Sequence, residues 1–341
     1  MRIALDAMGG DHAPVPIVNG ALQALENDLE LEVVLVGEES RLRTLVLQDN
    51  PVFSRVFFHN ATQVVGMEES PAMGLRRKPD NTITRSWQLL AAGTVQGIVS
   101  AGNTGAMVAG GLFTRRFLPH VDRPGIATIM PTAKGPSVML DVGANMHPKA
   151  EHLFQYGVMG EIFARHMLKK EKPTIGLMNV GSEDGKGNDL IKTTQLLFAN
   201  SELRGNFIGN IEGRDIHRGV ADVIVSDGFV GNVVLKVCEG LFEFMMKIVA
   251  KEVVGILNVE KSTAGNALQH LANKYDYSEF GGAPLLGIDG ICIICHGSSG
   301  ARAIKNALNV AAKLARAGIN KLIVEELERI PSISGTSSSP I

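Results

Sequence analysis

The sequence predicts an α/β fold in which helices cover both sides of a mostly parallel β-sheet. Short apolar runs recur along the 341-residue chain without polar alternation, as expected of strands that are buried on both faces. Stretches with helical spacing lie between many of these runs, and alternating strands and helices are typical of parallel sheets. The predicted strands are 2–6, 32–37, 55–59, 97–100, 126–130, 137–141, 174–178, 206–211, 222–226 and 291–294, and the clearest helices are 16–27, 84–93, 148–168 and 301–315.

One pair of predicted strands departs from the parallel order. The runs 126–130 and 137–141 are separated only by PTAKGP, which predicts an antiparallel hairpin. Further along, apolar residues at helical spacing in 240–276 interrupt the alternation and predict a helical excursion. No internal repeat is present, so residues 1–331 are expected to form a single α/β domain. The end, 332–341, is poor in apolar residues and is predicted to be disordered.

The composition argues against several classes of protein. With 33 Lys and Arg against 35 Asp and Glu, the formal net charge is −2, which argues against a nucleic-acid binder. No segment approaches the ~20 consecutive apolar residues of a membrane-spanning helix. The first residues include Asp6 and no long apolar run, so no signal peptide is expected. Three cysteines do not make a disulfide framework, and the chain is therefore expected in a reducing cytoplasm.

Cys292, Cys295 and His296 match the C-x-x-C-H spacing of c-type haem attachment. The surrounding sequence, DGICIICHGSSG, instead predicts a buried strand followed by a glycine–serine turn. In a strand, residues three apart point to opposite faces, so the two sulfurs could not hold one haem or metal together. We interpret both cysteines as packing residues.

Polar residues follow the predicted strands at their carboxyl ends, where open α/β sheets place their sites. Each of seven loops combines glycine with Asp, Asn, Ser, Lys, Arg or His. One such loop carries little weight, but seven in register with the strands favour a polar site in one crevice. The loops are 6–11, 100–105, 141–145, 179–188, 212–215, 227–232 and 296–299.

The loop SAGNTG at 100–105 ends a predicted strand and begins a helix rich in small residues. Gly102 and Gly105 flank Asn103 and Thr104, so backbone amides can come close to a ligand. The first turn of the following helix favours an anion such as phosphate or a carboxylate. The alternative is that the glycines serve packing alone, and the stretch by itself leaves both open.

The sequence lacks the common nucleotide and hydrolase motifs. Gly181 and Gly185 are separated by three residues rather than the four of a P-loop, and Gly187 follows Lys186 where a P-loop has Ser or Thr. The adjacent glycines after the first strand do not make a dinucleotide fingerprint. Neither H-E-x-x-H nor G-x-S-x-G occurs. We predict no cofactor.

What remains is a site rich in hydrogen-bond donors that could surround a tetrahedral oxyanion. Carboxylates would orient those donors or act as bases, although two of them could equally cap turns, and the histidine could equally be a core residue. The histidine is His296. The candidate donors are the 100–105 turn, Asn145, Asn179, Lys186, Arg214, Lys236 and residues 297–299, and the carboxylates are Asp6, Asp11, Asp141, Glu212 and Asp227.

The set of motifs resembles the bacterial acyl-[acyl-carrier-protein]:phosphate acyltransferases of phospholipid synthesis. The motifs span nearly the whole chain in order, and their combination is highly specific although each block is weak. Met146 and His147 depart from the usual pattern and are given no role. The matching blocks are DAMGGD at 6–11, SAGNTGA at 100–106, DVGAN at 141–145, NVGSEDGKGN at 179–188, NIEGRD at 210–215, VSDGFVGN at 225–232, YSEFGGAPLLG at 277–287 and HGSS at 296–299.

The resemblance implies a homodimer with a Rossmann-like three-layer α/β/α sandwich, related to phosphotransacetylases and isopropylmalate-type dehydrogenases. It implies transfer of a long-chain acyl group from acyl carrier protein to inorganic phosphate. A membrane acyltransferase would then use the acyl phosphate to acylate glycerol 3-phosphate. The expected location is therefore the cytoplasm, peripherally at the inner face of the membrane.

The candidate residues fit that chemistry. Because phosphate is already an anion at neutral pH, the enzyme has to hold it in attack geometry and stabilise the oxyanion of the thioester carbonyl. Neither a covalent acyl-enzyme nor a metal is then required. Residues predicted to bind phosphate are Ser100, Gly102, Asn103, Thr104, Gly105 and Arg214. Those predicted to be catalytic are Lys186, beside the phosphate, and Asn145, Asn232 or His296, which would polarise the carbonyl or protonate the leaving thiolate.

The helical excursion could bring apolar side chains to a membrane. Ile256, Leu257 and Val259 lie near a predicted bend, and an apolar helix tip of this kind can touch lipid. The alternative is that this face forms a dimer interface or packs in the core.

Acyl carrier proteins are acidic, so a basic docking patch is expected. Charge runs are more often only solvated faces, which leaves that alternative open. The docking candidates are Arg76, Arg77 and Lys78, with Arg115 and Arg116 as a second cluster.

Two other functions are kept as alternatives. A β-decarboxylating dehydrogenase of the related fold would need metal-binding aspartates at helical spacing and an adenosine site, and the sequence shows neither. A non-catalytic membrane scaffold for lipid enzymes would not need seven convergent polar loops.

Overall fold

The computed structural model describes residues 1–114, 116–256, 265 and 281–330. The chain divides into two units, of which unit 1 contains residues 1–116 and 230–317 and unit 2 contains residues 117–229 and 318–341. The predicted single domain over 1–331 stays a prediction, and the predicted tail, 332–341, lies outside the described residues.

Unit 1 is built on a sheet with the strand order β3-β2-β1-β4-β11-β10. All of its neighbouring strands run parallel except β10, which pairs antiparallel with β11. The central strands are almost wholly apolar and buried, as the solid apolar runs predict. The strands are β1 Arg2–Asp6, β2 Glu32–Gly37, β3 Val56–Asn60, β4 Gly97–Ser100, β10 Ala283–Leu286 and β11 Ile291–Ile294.

The connections of unit 1 place helices on both faces of this sheet. The chain steps outward from β1 to β2 and β3, and then returns past β1 to β4. Because such crossovers are right-handed, the helices of the outward and return steps lie on opposite faces. The helices are α1 Val15–Asn27, α2 Glu39–Leu45, α3 Pro71–Arg77, α4 Thr82–Ala91, α5 Thr104–Thr114, α9 Gly228–Ile256 (whose first two residues belong to unit 2) and α10 Ala301–Arg316.

In unit 2 the strands lie in the order β5-β6-β9-β7-β8. Here β5 and β6 form an antiparallel hairpin and the other neighbours are parallel. α6 is buried along most of its length and packs on β6, β9, α7 and α11. The elements are β5 Gly125–Met130, β6 Ser137–Leu140, α6 Ala150–Met167, β7 Ile175–Met178, α7 Asp189–Ala199, β8 Phe207–Ile211, α8 Gly213–Ile216, β9 Val223–Val225 and α11 Ile319–Arg329.

The predicted α/β class with mostly parallel strands is confirmed, as is the hairpin of β5 and β6. The sequence prediction missed β10, a four-residue strand that contains a proline and follows two glycines. The excursion predicted at 240–276 begins earlier, because α9 is one continuous helix from Gly228 to Ile256. Among the described residues, no helix is both long and apolar enough to cross a membrane.

Candidate functional site

Three of the seven predicted loops lie together in unit 1, at the carboxyl ends of the neighbouring strands β1, β4 and β11. The amide of Asp11 donates to the carbonyl of Gly297 over 2.8 Å, which joins the loops after β1 and β11. The amide of Cys295 donates to the carbonyl of Ser100, also over 2.8 Å, so the β11 loop starts beside the 100–105 turn. This edge of the sheet is the candidate site of unit 1.

Asp6 organises this edge from within the protein. Its buried carboxylate accepts a hydrogen bond from Ser100 Oγ at 2.8 Å, and Ser100 Oγ accepts one from the amide of Gly102 at 3.0 Å. Burial raises the pKa of Asp6, against the opposing effect of these hydrogen bonds. A Cβ at Gly9 would lie 2.5 Å from Asp6 Oδ2 and 2.7 Å from the Gly102 amide, so only glycine fits there. Asp6 is therefore linked to the turn through Ser100, and its role as an orienting carboxylate of a ligand site stays a prediction.

Asn103 ties the turn to a loop that the sequence interpretation overlooked. Its Oδ1 accepts from the Ala106 amide at 2.9 Å and caps α5. Its Nδ2 donates to the carbonyls of Gly66, Met67 and Glu69 at 3.0–3.1 Å, which holds the loop after β3 against the first turn of α5. The signal available in the sequence was Gly66 and Glu69 shortly after a predicted strand.

The hydrogen bonds of the 100–105 turn reduce the number of its groups that remain available to a phosphate. The Ser100 hydroxyl, the Gly102 amide and the Asn103 side chain all make hydrogen bonds inside unit 1. The first backbone hydrogen bond of α5 runs from Met107 N to Asn103 O, so the amides of Thr104 and Gly105 precede the helical ladder. Thr104 is exposed, and phosphate binding stays a prediction that now centres on these two amides.

Unit 2 has its own group of predicted site loops, where β6, β9, β7 and β8 end side by side. Asp141, directly after β6, is fully buried. Its carboxylate accepts from the amides of Ile126, Gly143 and Ala144 at 2.9–3.0 Å and from that of Asn145 at 2.7 Å. Burial raises its pKa, and the four amides oppose that shift. Asp141 thus fixes the 141–145 loop.

Asn145 uses its side chain to support the fold. Its Nδ2 lies 2.6 Å from the carbonyl of Pro124 and 2.7 Å from Tyr156 Oη, so both N–H groups have acceptors. Burial raises the pKa of Tyr156. The proposed action of Asn145 on a substrate carbonyl would require these hydrogen bonds to break.

The loop after β7 carries Lys186. Asn179 shapes it by donating to the Lys186 carbonyl at 3.1 Å, and Asn210 on β8 donates to the Glu183 carbonyl at 2.9 Å. Both asparagines hold the loop by its backbone, while the Lys186 side chain is exposed. Its catalytic role stays a prediction, and its exposed position at the strand ends is compatible with that role.

The other predicted site residues lie at strand ends or at the start of α9. Arg214 is 65% exposed and pairs with Glu212 at 2.9 Å. Asp227 is half-buried just before α9, and Asn232 is exposed one turn into that helix. His296 is exposed, with Nδ1 2.7 Å from Ser298 Oγ, so it is not a core histidine.

Cys292 and Cys295 are buried in and just after β11. Burial raises the pKa of both thiols, for Cys295 to about 12. Neither thiol therefore forms a ready nucleophile. Within the described ranges, no group of three or more His, Cys, Asp or Glu could hold a metal ion.

The predicted contact surfaces are only partly described. Arg76 and Arg77 are exposed. Lys78 pairs with Glu69 and donates to the Val64 carbonyl, so docking through Lys78 would require it to give up these two contacts. In the second cluster Arg116 pairs with Asp289. Arg115, Leu257, Val259 and the side chain of Ile256 lie outside the described residues.

Comparison with solved structures supports the fold. A phosphotransacetylase from Streptococcus pyogenes matches with a TM-score of 0.60 at 15% identity, over 93% of this chain and 94% of that one. A branched-chain phosphotransacylase from Enterococcus faecalis matches with a TM-score of 0.54 at 14% identity, over 92% and 99%. At these identities the likeness concerns the fold alone.

Sequence comparison identifies the family. A protein named phosphate acyltransferase from Desulfitobacterium hafniense is 45% identical over 332 residues, covering 96% of this chain and 98% of that protein. Another of the same name from Geobacter sulfurreducens is 42% identical over 335 residues, covering 96% and 94%. The model of a family described as fatty acid synthesis protein matches residues 1–322. The chain therefore belongs to the fatty acid synthesis protein family.

Proposed function

We propose that this protein is an acyltransferase that moves a long-chain acyl group from acyl carrier protein to inorganic phosphate, giving acyl phosphate for phospholipid synthesis. The observation that carries the proposal is the turn before α5, where the buried Asp6–Ser100–Gly102 hydrogen bonds and the Asn103 cap flank the amides of Thr104 and Gly105. Such amides bind anions well. The relatives named phosphate acyltransferase support the same chemistry. A dehydrogenase or a scaffold finds no comparable support.

The reaction needs positioning more than activation. A phosphate oxygen attacks the thioester carbonyl carbon, the carbonyl oxygen gains negative charge, and the C–S bond then breaks to release a thiolate that takes up a proton. Lys186 and Arg214 stay the candidate side chains for holding phosphate, and the amides of Thr104 and Gly105 are the candidate backbone donors. His296 and Asn232 are the candidates for stabilising the oxyanion or protonating the thiolate, because both are exposed whereas the Asn145 side chain is engaged.

The activity is tested by incubating the protein with hexadecanoyl-acyl carrier protein and radiolabelled phosphate. We expect a labelled product that hydroxylamine destroys, as an acyl phosphate requires, and no absorbance change when a nicotinamide cofactor is added. Release of free fatty acid without labelled product would contradict the proposal.

A homodimer is supported by α9. Large apolar side chains at spacings of three and four residues are exposed on this helix, with Val237 at 60%, Leu241 at 55% and Phe244 at 57%. An exposed apolar stripe on a long helix favours pairing with a second copy. Sedimentation equilibrium should give a dimer for the wild type and a monomer for the double variant Leu241→Glu, Phe244→Glu. An unchanged mass would exclude this stripe as the interface.

Peripheral membrane contact at Ile256, Leu257 and Val259 fits a product that a membrane enzyme must receive, and it would place the protein at the inner face of the membrane. The double variant Ile256→Glu, Leu257→Glu should lower co-sedimentation with anionic lipid vesicles severalfold. Unchanged co-sedimentation would show that Ile256 and Leu257 do not contact the membrane.

Arg76 and Arg77 are the candidates for docking the acidic carrier protein, because both are exposed at the end of α3. Their charge reversal should raise the KM for the carrier substrate and spare kcat. An unchanged KM would show that both arginines are ordinary solvent-exposed residues with no part in docking.

A further inference from the structure

Three large apolar side chains are exposed on the elements around α5. Met67 is 43% exposed, Met73 50% and Phe113 53%. We call these three residues the α3–α5 strip. None of them belongs to a motif that the sequence analysis used, and their position relative to the candidate phosphate turn suggests a role.

The two helices of the strip lie side by side. At one end, a Cβ on Gly105 in the first turn of α5 would lie 2.5 Å from Pro71 Cγ at the start of α3. At the other end, the Arg76 guanidinium lies 5.9 Å from the centre of the Phe113 ring, near the end of α5. Residues three apart share a helix face, so Met73 lies on the same side of α3 as Arg76. The strip therefore follows the length of α5.

Met67 marks the end of the strip beside the candidate phosphate turn. Asn103, which caps α5, donates to the Met67 carbonyl at 3.1 Å. The Met67 methyl group lies 2.9 Å from where a Cβ on Gly297 would stand, between the loops after β3 and β11. From Thr104 to Phe113 the helix rises roughly 13 Å, at ~1.5 Å per residue. The strip thus extends from the candidate phosphate turn along the whole helix.

We propose that the α3–α5 strip carries the acyl chain of the substrate, a deepening that rests on the function proposed above. A thioester carbonyl within attack distance of a phosphate at the Thr104 amide must send its chain away from that point. Met67 then offers the first apolar contact, and Met73 and Phe113 continue it. Arg76 and Arg77, exposed along the same helix, fit the acidic protein that delivers the chain.

The test compares long and short acyl chains on the same carrier protein. Single variants Met67→Glu, Met73→Glu and Phe113→Glu should each lower kcat/KM for the hexadecanoyl substrate roughly tenfold, because a charge replaces an apolar contact with the chain. With the octanoyl substrate, Phe113→Glu at the far end should change kcat/KM less than about twofold. Leu29→Glu, a substitution of an exposed leucine elsewhere in unit 1, should leave both values unchanged.

The outcomes separate this proposal from the proposed function. If the wild type makes no acyl phosphate, the function itself fails. If the wild type is active and the three variants lose activity equally with both chain lengths, or lose none, the strip does not carry the chain. A loss of vesicle binding without a change in chain-length preference would assign the strip to a lipid surface and would overturn the proposal.

Discussion

Asp6 in unit 1 is the last residue of β1, and Asp141 in unit 2 directly follows β6. Both fix a glycine-containing loop, but they use different partners. Asp6 accepts from one amide of its own loop, that of Met8 at 3.3 Å, and also acts across strands through a side chain, because Ser100 Oγ on β4 links it to the Gly102 amide. Asp141 binds backbone amides directly, three of them from its own loop. Each carboxylate is also covered by a glycine, Gly9 for Asp6 and Gly228 for Asp141.

This difference in partners predicts how much stability each loop loses when its carboxylate is replaced by an amide. A hydroxyl can reverse its role from donor to acceptor, whereas a backbone amide can only donate. The Asp6 turn therefore has an adaptable link, and the Asp141 loop has a rigid one. The Asp6 turn and the Asp141 loop should respond differently to the same substitution.

The largest effect is expected for Asp141→Asn. The new Nδ2 would face at least one amide that now donates to the carboxylate, for example that of Asn145 at 2.7 Å. Two donors would then oppose each other in a buried place, at a cost of about 3 kcal/mol in the free energy of unfolding. Urea unfolding at pH 7 measures this value. If Asp141→Asn lowered the free energy of unfolding by less than Asp6→Asn does, the Asp141 loop would not be the more rigid of the two.

Lys186→Ala replaces an exposed residue of unit 2, in contrast to the buried Asp6 and Asp141. We expect kcat to fall at least roughly tenfold, because a cation beside the phosphate would be lost. The free energy of unfolding should stay unchanged, since the side chain is exposed. Steady-state kinetics and urea unfolding together check this prediction, and near-normal turnover would remove Lys186 from the site.

Asp6→Asn should cost less than the substitution at Asp141, about 1 kcal/mol. The new Nδ2 can donate to Ser100 Oγ, which already accepts from the Gly102 amide and has a second lone pair. The same urea measurement applies. A cost equal to that of Asp141→Asn would show that the hydroxyl gives no adaptability.

The smallest effect is a change in pH dependence. Burial raises the pKa of Asp6 above its ordinary value of 3.8, so the folded protein keeps a proton that the unfolded chain has lost over the window between the two values. The free energy of unfolding contributed by Asp6 therefore falls as pH rises through that window. Asp6→Asn removes this titration, and its unfolding free energy should decrease less with rising pH than that of the wild type. Parallel curves would contradict the assigned direction.

The sequence predicted the strands well because buried strands of a parallel sheet need solid apolar runs, which are visible without any tertiary information. β10 was not predicted, because four residues that include a proline do not form a recognisable apolar run. The candidate loops were found because glycine and polar residues follow each strand. Which of their side chains make hydrogen bonds inside the protein could not be predicted, since Asn103 and Asn145 could equally have faced a ligand.

The order of apolar runs and polar loops was enough to determine the α/β class, the hairpin and the family of this protein. The tertiary structure alone decided which polar groups are already engaged. Asn103 binds carbonyls 34 to 37 residues away, and Asp6 binds a hydroxyl 94 residues away. The physical reason is that a hydrogen bond depends on distance and direction in space, and strand order brings together donors and acceptors that the sequence keeps far apart.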